Sequence, residues 1–205
     1  MHRRLFLAIF TALWLVAGSA SHADENPASV VVEALHASLL TMMKDADALG
    51  FDGRRQHMVP VVAQSFDLKT IAAMATGPNW NEFNEAQQEQ LIKSLERLSL
   101  ATYASRFNGY SGERFQVLSE QPAPQGAVFV NTELIKADGE AIVLKYLLHL
   151  SDAGWRILDI YFLGVYSELG MRRSEYAAVL KRDGFEGLLS SIDQKTADYA
   201  AGLLK

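Results

Sequence analysis

Few side chains in this 205-residue sequence have the type and the spacing that chemistry at a protein site requires. The chain contains no cysteine, which excludes thiol catalysis and thiolate metal sites. Beyond residue 23 the histidines are His36, His57 and His149, and none lies four residues from another, the spacing of helical metal pairs. We therefore predict no metal ion, no cofactor and no set of catalytic residues.

Two short motifs approach known sites without completing them. Asp45 and Asp47 match the first ligand positions of a calcium loop, but Leu49 and Gln56 stand where that loop needs carboxylate-type oxygen ligands. The segment GYSGE at 109–113 is one residue short of the G-x-S-x-G nucleophile elbow. The first segment is therefore interpreted as a solvated helix end.

A single carboxylate, Asp159, stands in the middle of an apolar stretch. Burying an unpaired carboxylate is costly, so Asp159 should find a partner. Arg173 is the predicted partner, with Arg172 as the second choice, and such a pair would tie the last strand to the helix after it. The alternative role for the arginine is to bind a phosphate, because guanidinium matches phosphate in a bidentate geometry, and Lys145 would do so more loosely.

Helical and strand patterns divide the chain into three parts. Apolar residues recur at helical spacing in the first part, and Asn84 with Gln87 forms a capping-box pattern before the longest helix. Four strand-like segments separated by tight turns follow, which is typical of an antiparallel meander. Helical spacing then returns, with Gly184 and Gly187 as candidate breaks. The predicted helices cover 28–48, 54–64, 68–75 and 84–107, and the predicted strands cover 114–120, 127–137, 141–152 and 155–165.

This order of elements predicts an α+β fold with N-terminal helices, a four-stranded curved antiparallel meander and C-terminal helices. Both faces of the last two strands carry apolar residues, whereas a sheet with one wet face would alternate. Either helices cover both faces, or the sheet curves and its concave face lines an apolar, ligand-binding cavity. We favour the cavity, and a one-residue register shift would exchange its lining. The predicted lining residues are Leu95, Leu98, Tyr103, Tyr146, Leu148, Leu158, Ile160, Phe162 and Tyr176.

The N-terminus has the features of a secretory signal peptide. Two arginines precede an apolar run over 5–17, and small residues follow. We predict cleavage after Ala23, with Ala20 as the competing site and an uncleaved anchor as the alternative. The mature chain, 24–205, is predicted to be one domain with 17 basic and 24 acidic residues, a balance that argues against nucleic-acid binding. An exported chain without disulfides suggests a bacterial periplasmic protein.

Several blocks of the sequence resemble one known family. The run DIYFLGV (159–165), followed by RSEY (173–176), is similar to the terminal-strand signature of the MlaC-like toluene-tolerance family. Upstream, FDLKTIAAMATGPNWNEFNEAQQEQLIKSL (66–95) resembles the family's Phe-Asp…Met-Ala…Trp…Gln block, and the order of elements matches over 28–193. The segment YSELGMR (166–172) is more polar than its family counterpart, and this variant is similar to the hopanoid-biosynthesis-associated (HpnM-like) branch.

The resemblance implies a cone-shaped, NTF2-like fold around a lipid-binding pocket, and a periplasmic carrier rather than an enzyme. It implies a phospholipid, or in the hopanoid branch a polycyclic terpenoid lipid, as cargo, and a membrane lipid-transport complex as partner. Asp159, Arg173 and Lys145 would then hold a headgroup or form a structural ion pair. Two rival interpretations stay open: an enzyme that uses His149 or Asp159 in the same pocket, and an interaction subunit with a filled core.

Overall fold

The computed structural model describes residues 27–204, so the predicted signal peptide over 1–23 lies outside the described residues. Helices α1 to α4 are Ser29–Lys44, Ala46–Ser65, Leu68–Thr76 and Glu85–Arg106, and α5 is Glu168–Ala200. Strands β1 to β5 are Arg114–Pro122, Val128–Ile135, Ala141–Ser151, Gly154–Phe162 and Tyr166–Ser167. Short 3-10 helices, Gly77–Glu82 and Pro124–Gly126, follow α3 and β1. Within residues 27–204, no helix combines the length and the apolar character needed to cross a bilayer.

The helices begin where the sequence supplies caps. The Asn84 side chain accepts a hydrogen bond from the backbone N–H of Gln87 at 2.9 Å, and the Gln87 side chain accepts one from Asn84 N–H at 3.0 Å, which confirms the predicted capping box. The helix predicted over 28–48 is interrupted at Asp45, since α1 ends at Lys44, but helical geometry resumes at Ala46 and stops at the non-helical Gly50, close to the predicted end.

Two helices contain sharp breaks at glycine. Gly50 in α2 has φ 58° and ψ −174°, and Gly184 in α5 has φ 68° and ψ −164°, a region that is essentially restricted to glycine. The predicted break at Gly184 is confirmed, whereas Gly187 lies inside the helix beyond it. The two halves of α5 fold back on each other as a helical hairpin, since Lys195 Nζ lies 3.1 Å from Glu175 Oε2.

The strands form one antiparallel meander in which each strand pairs with the next along the chain. The predicted α+β architecture and meander are confirmed, with one correction to the number of strands. Leu163 (φ 52°) and Gly164 (φ 71°) turn the chain tightly, so residues 163–165, predicted as the end of the fourth strand, form a turn, and Tyr166–Ser167 beyond it pairs as the two-residue strand β5. The backbone N–H of Val165 donates to Phe162 O at 3.2 Å and closes this turn.

A β-bulge in β4 changes which residues face the helices. Leu147 pairs with Asp159 and Leu148 pairs with Ile157, so Leu158 is an extra residue in β4. The strict alternation predicted for this strand is therefore wrong at this point, because a bulge places consecutive side chains on one side. Ile157 packs in a core cluster with Leu148, and Leu158 packs in a second core cluster with residues of α3, α4 and α5.

The two faces of the sheet are covered in different ways. Helices α1, α2 and α4 pack with the concave face in one buried cluster, which includes Tyr146, Leu148 and Ile157. On the convex face, Lys145 Nζ lies 4.5 Å from the ring centroid of Phe129 and 4.7 Å from that of Tyr161. The apolar residues of the convex face are therefore sheltered by one another and by the stem of a lysine, and the alternative of helices over both faces is wrong.

Candidate ligand-binding cavity

A cavity of about 690 Å³ lies between the concave face of the sheet and helices α4 and α5. Its volume falls within the range of roughly 300–1,000 Å³ that is typical of small-molecule sites. The sheet residues share one face because they stand opposite each other in register, as Leu134 does with Ile142 and Tyr146 with Ile160. This sheet wall consists of Leu134, Ile142, Leu144, Tyr146, Ile160 and Phe162.

The opposite wall is built mainly from α4, with Leu39 of α1 behind it. Leu98 and Tyr103 face the cavity, and the Tyr103 ring stacks 5.9 Å from that of Phe107. Burial of the Tyr103 phenol raises its pKa well above the usual value, so the group stays protonated. Tyr103 therefore adds an uncharged hydroxyl to a wall that also contains Thr102 and the cation Arg106.

A small side pocket of about 70 Å³ adjoins the main cavity. Tyr103 and Ile160 line both spaces, and the side pocket reaches Ile71 of α3 and Leu158 of the β-bulge. The bulge thus extends the apolar lining toward α3.

Charged side chains line the cavity on the α5 side. Glu168 and Arg172, one turn apart, form an ion pair with Oε1 and Nη2 at 2.7 Å, and only 15% of the Arg172 side chain is accessible. Burial opposes the charged guanidinium, but the Glu168 carboxylate, together with Tyr176 and Tyr103, raises the pKa of Arg172 overall. Glu175 and Lys195 form a second pair across the helical hairpin at 3.1 Å. Both pairs place fixed charge beside an apolar space.

A buried histidine of α1 contacts one residue of the sheet wall. His36 of α1 has Nε2 2.9 Å from the Tyr146 hydroxyl oxygen, and its ring stacks on Phe115 with centroids 4.0 Å apart. Burial lowers the pKa of His36 to about 4, because water is excluded from the charged imidazolium. His36 is therefore neutral at pH 7 and holds the Tyr146 side chain at the cavity wall.

Large apolar side chains are exposed around the mouth of the cavity. Phe162, Tyr166 and Met171 line the cavity and are also 50%, 58% and 56% exposed. Leu163 and Val165, in the turn between β4 and β5, are 50% and 69% exposed. We call these five residues the apolar rim.

The structure places five of the nine predicted lining residues on the wall of the main cavity: Leu98, Tyr103, Tyr146, Ile160 and Phe162. Leu158 lines the side pocket instead. Leu95 and Leu148 are completely buried in the core clusters, where they pack against other side chains. Tyr176 is also buried, and its hydroxyl has no hydrogen-bond partner among the described residues.

The predicted ion pair between Asp159 and Arg173 is wrong, and Arg172 is not the partner either. The Asp159 carboxylate accepts hydrogen bonds from the backbone N–H of Leu169 at 2.9 Å, from the Ser167 hydroxyl at 2.5 Å and from its own neighbour Ile160 N–H at 2.8 Å. The turn after β4 brings the start of α5 back to this carboxylate, so backbone and hydroxyl donors take the place of a cation. Asp159 therefore ties β4 to the first turn of α5.

The two other predicted headgroup residues lie away from the cavity interior. Lys145 is on the convex face, between Phe129 and Tyr161. Arg173 is exposed on α5, while its neighbour Arg172 points to the cavity. Of the two adjacent arginines, it is Arg172 that faces the cavity.

His149, considered above as a catalytic residue, is on the convex face of β3. Its Nε2 lies 3.0 Å from Asp67 Oδ2, and the same carboxylate oxygen accepts a hydrogen bond from the Thr70 hydroxyl at 2.7 Å. Asp67 caps α3 through Thr70 N–H at 2.9 Å. The contact therefore links β3 to the start of α3. Within residues 27–204, no three His, Asp or Glu side chains are grouped so as to hold a metal ion.

Sequence reasoning missed several lining residues. Leu134 and Ile142 were detectable, because their strand positions share parity with Leu144 and Tyr146 once neighbouring strands are set in register. Arg106 and Lys195 gave no signal, since each lies at the end of a helical stretch whose packing direction the sequence does not reveal.

Comparisons with known proteins agree with this architecture. No curated protein matches the sequence significantly. The solved structure of a phospholipid-binding protein from Ralstonia solanacearum, in complex with a phospholipid, is similar with a TM-score of 0.74 and 23% identity. The match covers 84% of this chain and 98% of that chain, and it shows that the two share a fold. The family model described as MlaC protein matches residues 33–194, most of the sequence. The chain therefore belongs to the MlaC protein family.

Proposed function

We propose that the protein binds lipid in its cavity without chemical conversion and carries it through the periplasm. The observation that carries this proposal is the 690 Å³ cavity with a hydrocarbon wall on the concave sheet face. Each buried methylene contributes about 0.8 kcal/mol, so a chain of about sixteen carbons gains on the order of 12 kcal/mol from such shelter. A polar cleft offers no comparable gain.

Family membership and the phospholipid in the Ralstonia solanacearum relative support a phospholipid as the cargo. Export supports the same function, because a mature chain over 24–205, released after Ala23 as one domain, would act where lipids cross between two membranes. Delivery to a membrane lipid-transport complex is part of the proposal, since free release of tails into water is strongly unfavourable.

The test compares two neighbouring positions of β3 that face opposite ways. Leu144 lines the cavity, and Val143 is 40% exposed on the convex face. A carboxylate in the apolar wall should weaken tail binding at least tenfold, because a charge is poorly tolerated beside hydrocarbon. We expect native mass spectrometry of protein purified from cells to show lipid-sized adducts for the wild type and for V143E, and to show them lost in L144E.

Extraction and identification of the co-purified lipid then names the cargo. A phospholipid is the expected result, and a hopanoid-type lipid would instead assign the chain to the hopanoid-associated branch. Wild-type protein that carries no adduct and takes up no lipid from vesicles would contradict the proposal. Turnover of a bound lipid that is abolished by H149Q would favour an enzyme.

A further inference from the structure

The charged groups of the cavity lie on one side of it. The sheet wall contributes apolar side chains and one tyrosine hydroxyl, whereas α4 and α5 contribute every charged residue that lines the space. These residues are Arg106, Glu168, Arg172, Glu175 and Lys195. A ligand in the cavity therefore meets hydrocarbon on one side and fixed charge on the other.

The two carboxylates neutralise two of the three cations. Glu168 pairs with Arg172 at 2.7 Å and Glu175 pairs with Lys195 at 3.1 Å. Arg106 is the third cation, and no carboxylate within residues 27–204 lies within 4.0 Å of its guanidinium nitrogens. The lining thus has one positive charge in excess, at Arg106.

The Arg106 side chain is held at the cavity by a tyrosine rather than by an acid. Its Nη2 donates to the Tyr199 hydroxyl at 3.3 Å, and its guanidinium carbon lies 5.9 Å from the centroid of the same ring. A guanidinium has five N–H donors, and one is engaged here. Arg106 is exposed, so its remaining donors, which have no protein partner among residues 27–204, are open to water or to a ligand.

A buried hydroxyl without a partner in the described part of the chain lies on α5 near these residues, although Tyr176 is not among the residues that line either space. The Tyr176 hydroxyl is buried without a hydrogen-bond partner among the described residues, and Tyr176 is only 3% exposed. Buried polar groups nearly always have a partner, so an unpaired one needs an explanation. Tyr176 follows Arg172 by one turn of α5, and the charges of Arg172, Glu175 and Glu168 reach its hydroxyl. All three of these residues line the cavity.

We propose that Arg106, with Arg172 beside it, forms a subsite for an anionic group, a phosphate or a carboxylate, at the polar end of the ligand. Arg106 and Arg172 both line the main cavity and the side pocket, as does Glu168, the ion-pair partner of Arg172, so an anion at their junction meets two guanidinium groups and one carboxylate. Guanidinium binds either anion through charge-assisted hydrogen bonds. The inference rests on the proposed lipid binding and adds that the cavity discriminates by headgroup charge.

The test uses ligands with one shared hydrocarbon chain and different ends: hexadecyl phosphate, palmitate and 1-hexadecanol. Affinities for delipidated protein are measured by displacement of the uncharged fluorophore N-phenyl-1-naphthylamine. We expect the wild type to bind hexadecyl phosphate about tenfold more tightly than 1-hexadecanol, the scale of one hydrogen bond to a charged group. Added salt should narrow this ratio, because the attraction is electrostatic. Palmitate distinguishes a carboxylate source from a phosphate source.

Two arginine variants distinguish an effect of Arg106 itself from the effect of losing any one positive charge. R106Q should bring the ratio close to one, because it removes the cation that hexadecyl phosphate meets and that the uncharged end of 1-hexadecanol does not need. R114Q is the matched control, because Arg114 is exposed on β1 and makes only a 3.5 Å contact with Gln116. Equal binding of the three ligands by the wild type, or an undiminished ratio in R106Q, would overturn the subsite. If none of the three ligands binds, the proposed function itself fails.

Discussion

At the scale of single residues, His36 links the stability of the protein to pH. Its imidazole is 4% exposed, lies between Phe115 and Tyr146, and has its pKa lowered by burial to about 4. The unfolded chain binds a proton at His36 near the ordinary pKa of about 6.5, so acid favours unfolding. The contribution of His36 is therefore present above the unfolded pKa and is lost as the pH falls from about 6.5 toward 4.

We expect the free energy of unfolding to fall by up to roughly 3 kcal/mol across this window, the value of about two and a half pKa units. H36Q keeps a side-chain hydrogen bond within reach of Tyr146 but does not titrate, so its urea midpoint should depend less on pH than that of the wild type. H57Q is the control, since His57 is half-buried and contacts only Ser38 O at 3.2 Å. Identical pH slopes for H36Q and wild type would show that His36 is not the group responsible.

Asp159 illustrates which residue-scale predictions the sequence supports. Its isolation in an apolar strand correctly predicts a buried and partnered carboxylate, because the penalty for burying a lone charge is large. The identity of the partner depends on the tight turn at Leu163, which returns Ser167 and Leu169 to β4. A positive φ at leucine has no sequence signature, so the arginine a few residues later was chosen instead.

At the scale of elements, the hairpin of α5 depends on Gly184. Its φ of 68° and ψ of −164° are strained for any residue with a Cβ, although an added methyl would meet no atom within 4 Å. G184A should therefore lower the free energy of unfolding by about 1–3 kcal/mol through backbone strain alone.

The control for this prediction is G109A, because Gly109 has open space around it and no positive φ. Its free energy of unfolding, measured by urea denaturation, should stay within about 0.5 kcal/mol of the wild-type value, as is usual for surface substitutions. Equal midpoints for G184A and wild type would mean that the two halves of α5 can meet without this backbone conformation.

The elements themselves were largely predictable, and their irregularities were not. Helices begin at the caps Asp67 and Asn84, and strands end at the tight turns between them. These ends depend on local hydrogen bonds between residues close in sequence, so residue types alone predict them. The bulge at Leu158 is a property of two strands in register, so one strand read alone cannot reveal it. For that reason Leu158 was predicted on the wall of the main cavity, although it lines the side pocket.

At the scale of the whole molecule, a ligand that fills the cavity should stabilise the fold. Binding to the folded state alone contributes about 2.7 kcal/mol when the free ligand is at about a hundred times its Kd. For a protein of this size, that corresponds to a rise in melting temperature of roughly 5–10 °C. Delipidated wild-type protein should gain this increment on reloading with phospholipid, whereas L144E should gain none. A melting temperature unaffected by reloading would show that phospholipid does not bind the folded protein in preference to the unfolded chain.

The sequence predicts the layers of this molecule better than the space between them. Strands that are apolar on both faces indicate either a cavity or a second layer, and both arrangements satisfy the same hydrophobic pattern. Volume depends on how far the sheet curves and on where α4 and α5 stop, which involves residues as distant as Leu144 and Lys195. Parity correctly picked out Tyr146, Ile160 and Phe162 as wall residues, but it could not separate them from Leu148, which is packed solid.

The apolar rim has a kinetic consequence. Val165, which is 69% exposed, and the other residues of the apolar rim extend the apolar surface from the cavity mouth to the outside of the protein. An acyl chain that leaves the cavity would contact the apolar rim one methylene at a time, so that each methylene exchanges contacts with the cavity wall for contacts with the rim before it reaches water. The activation barrier for dissociation of the acyl chain would then be divided into small steps, so that one protein could combine high affinity with fast release.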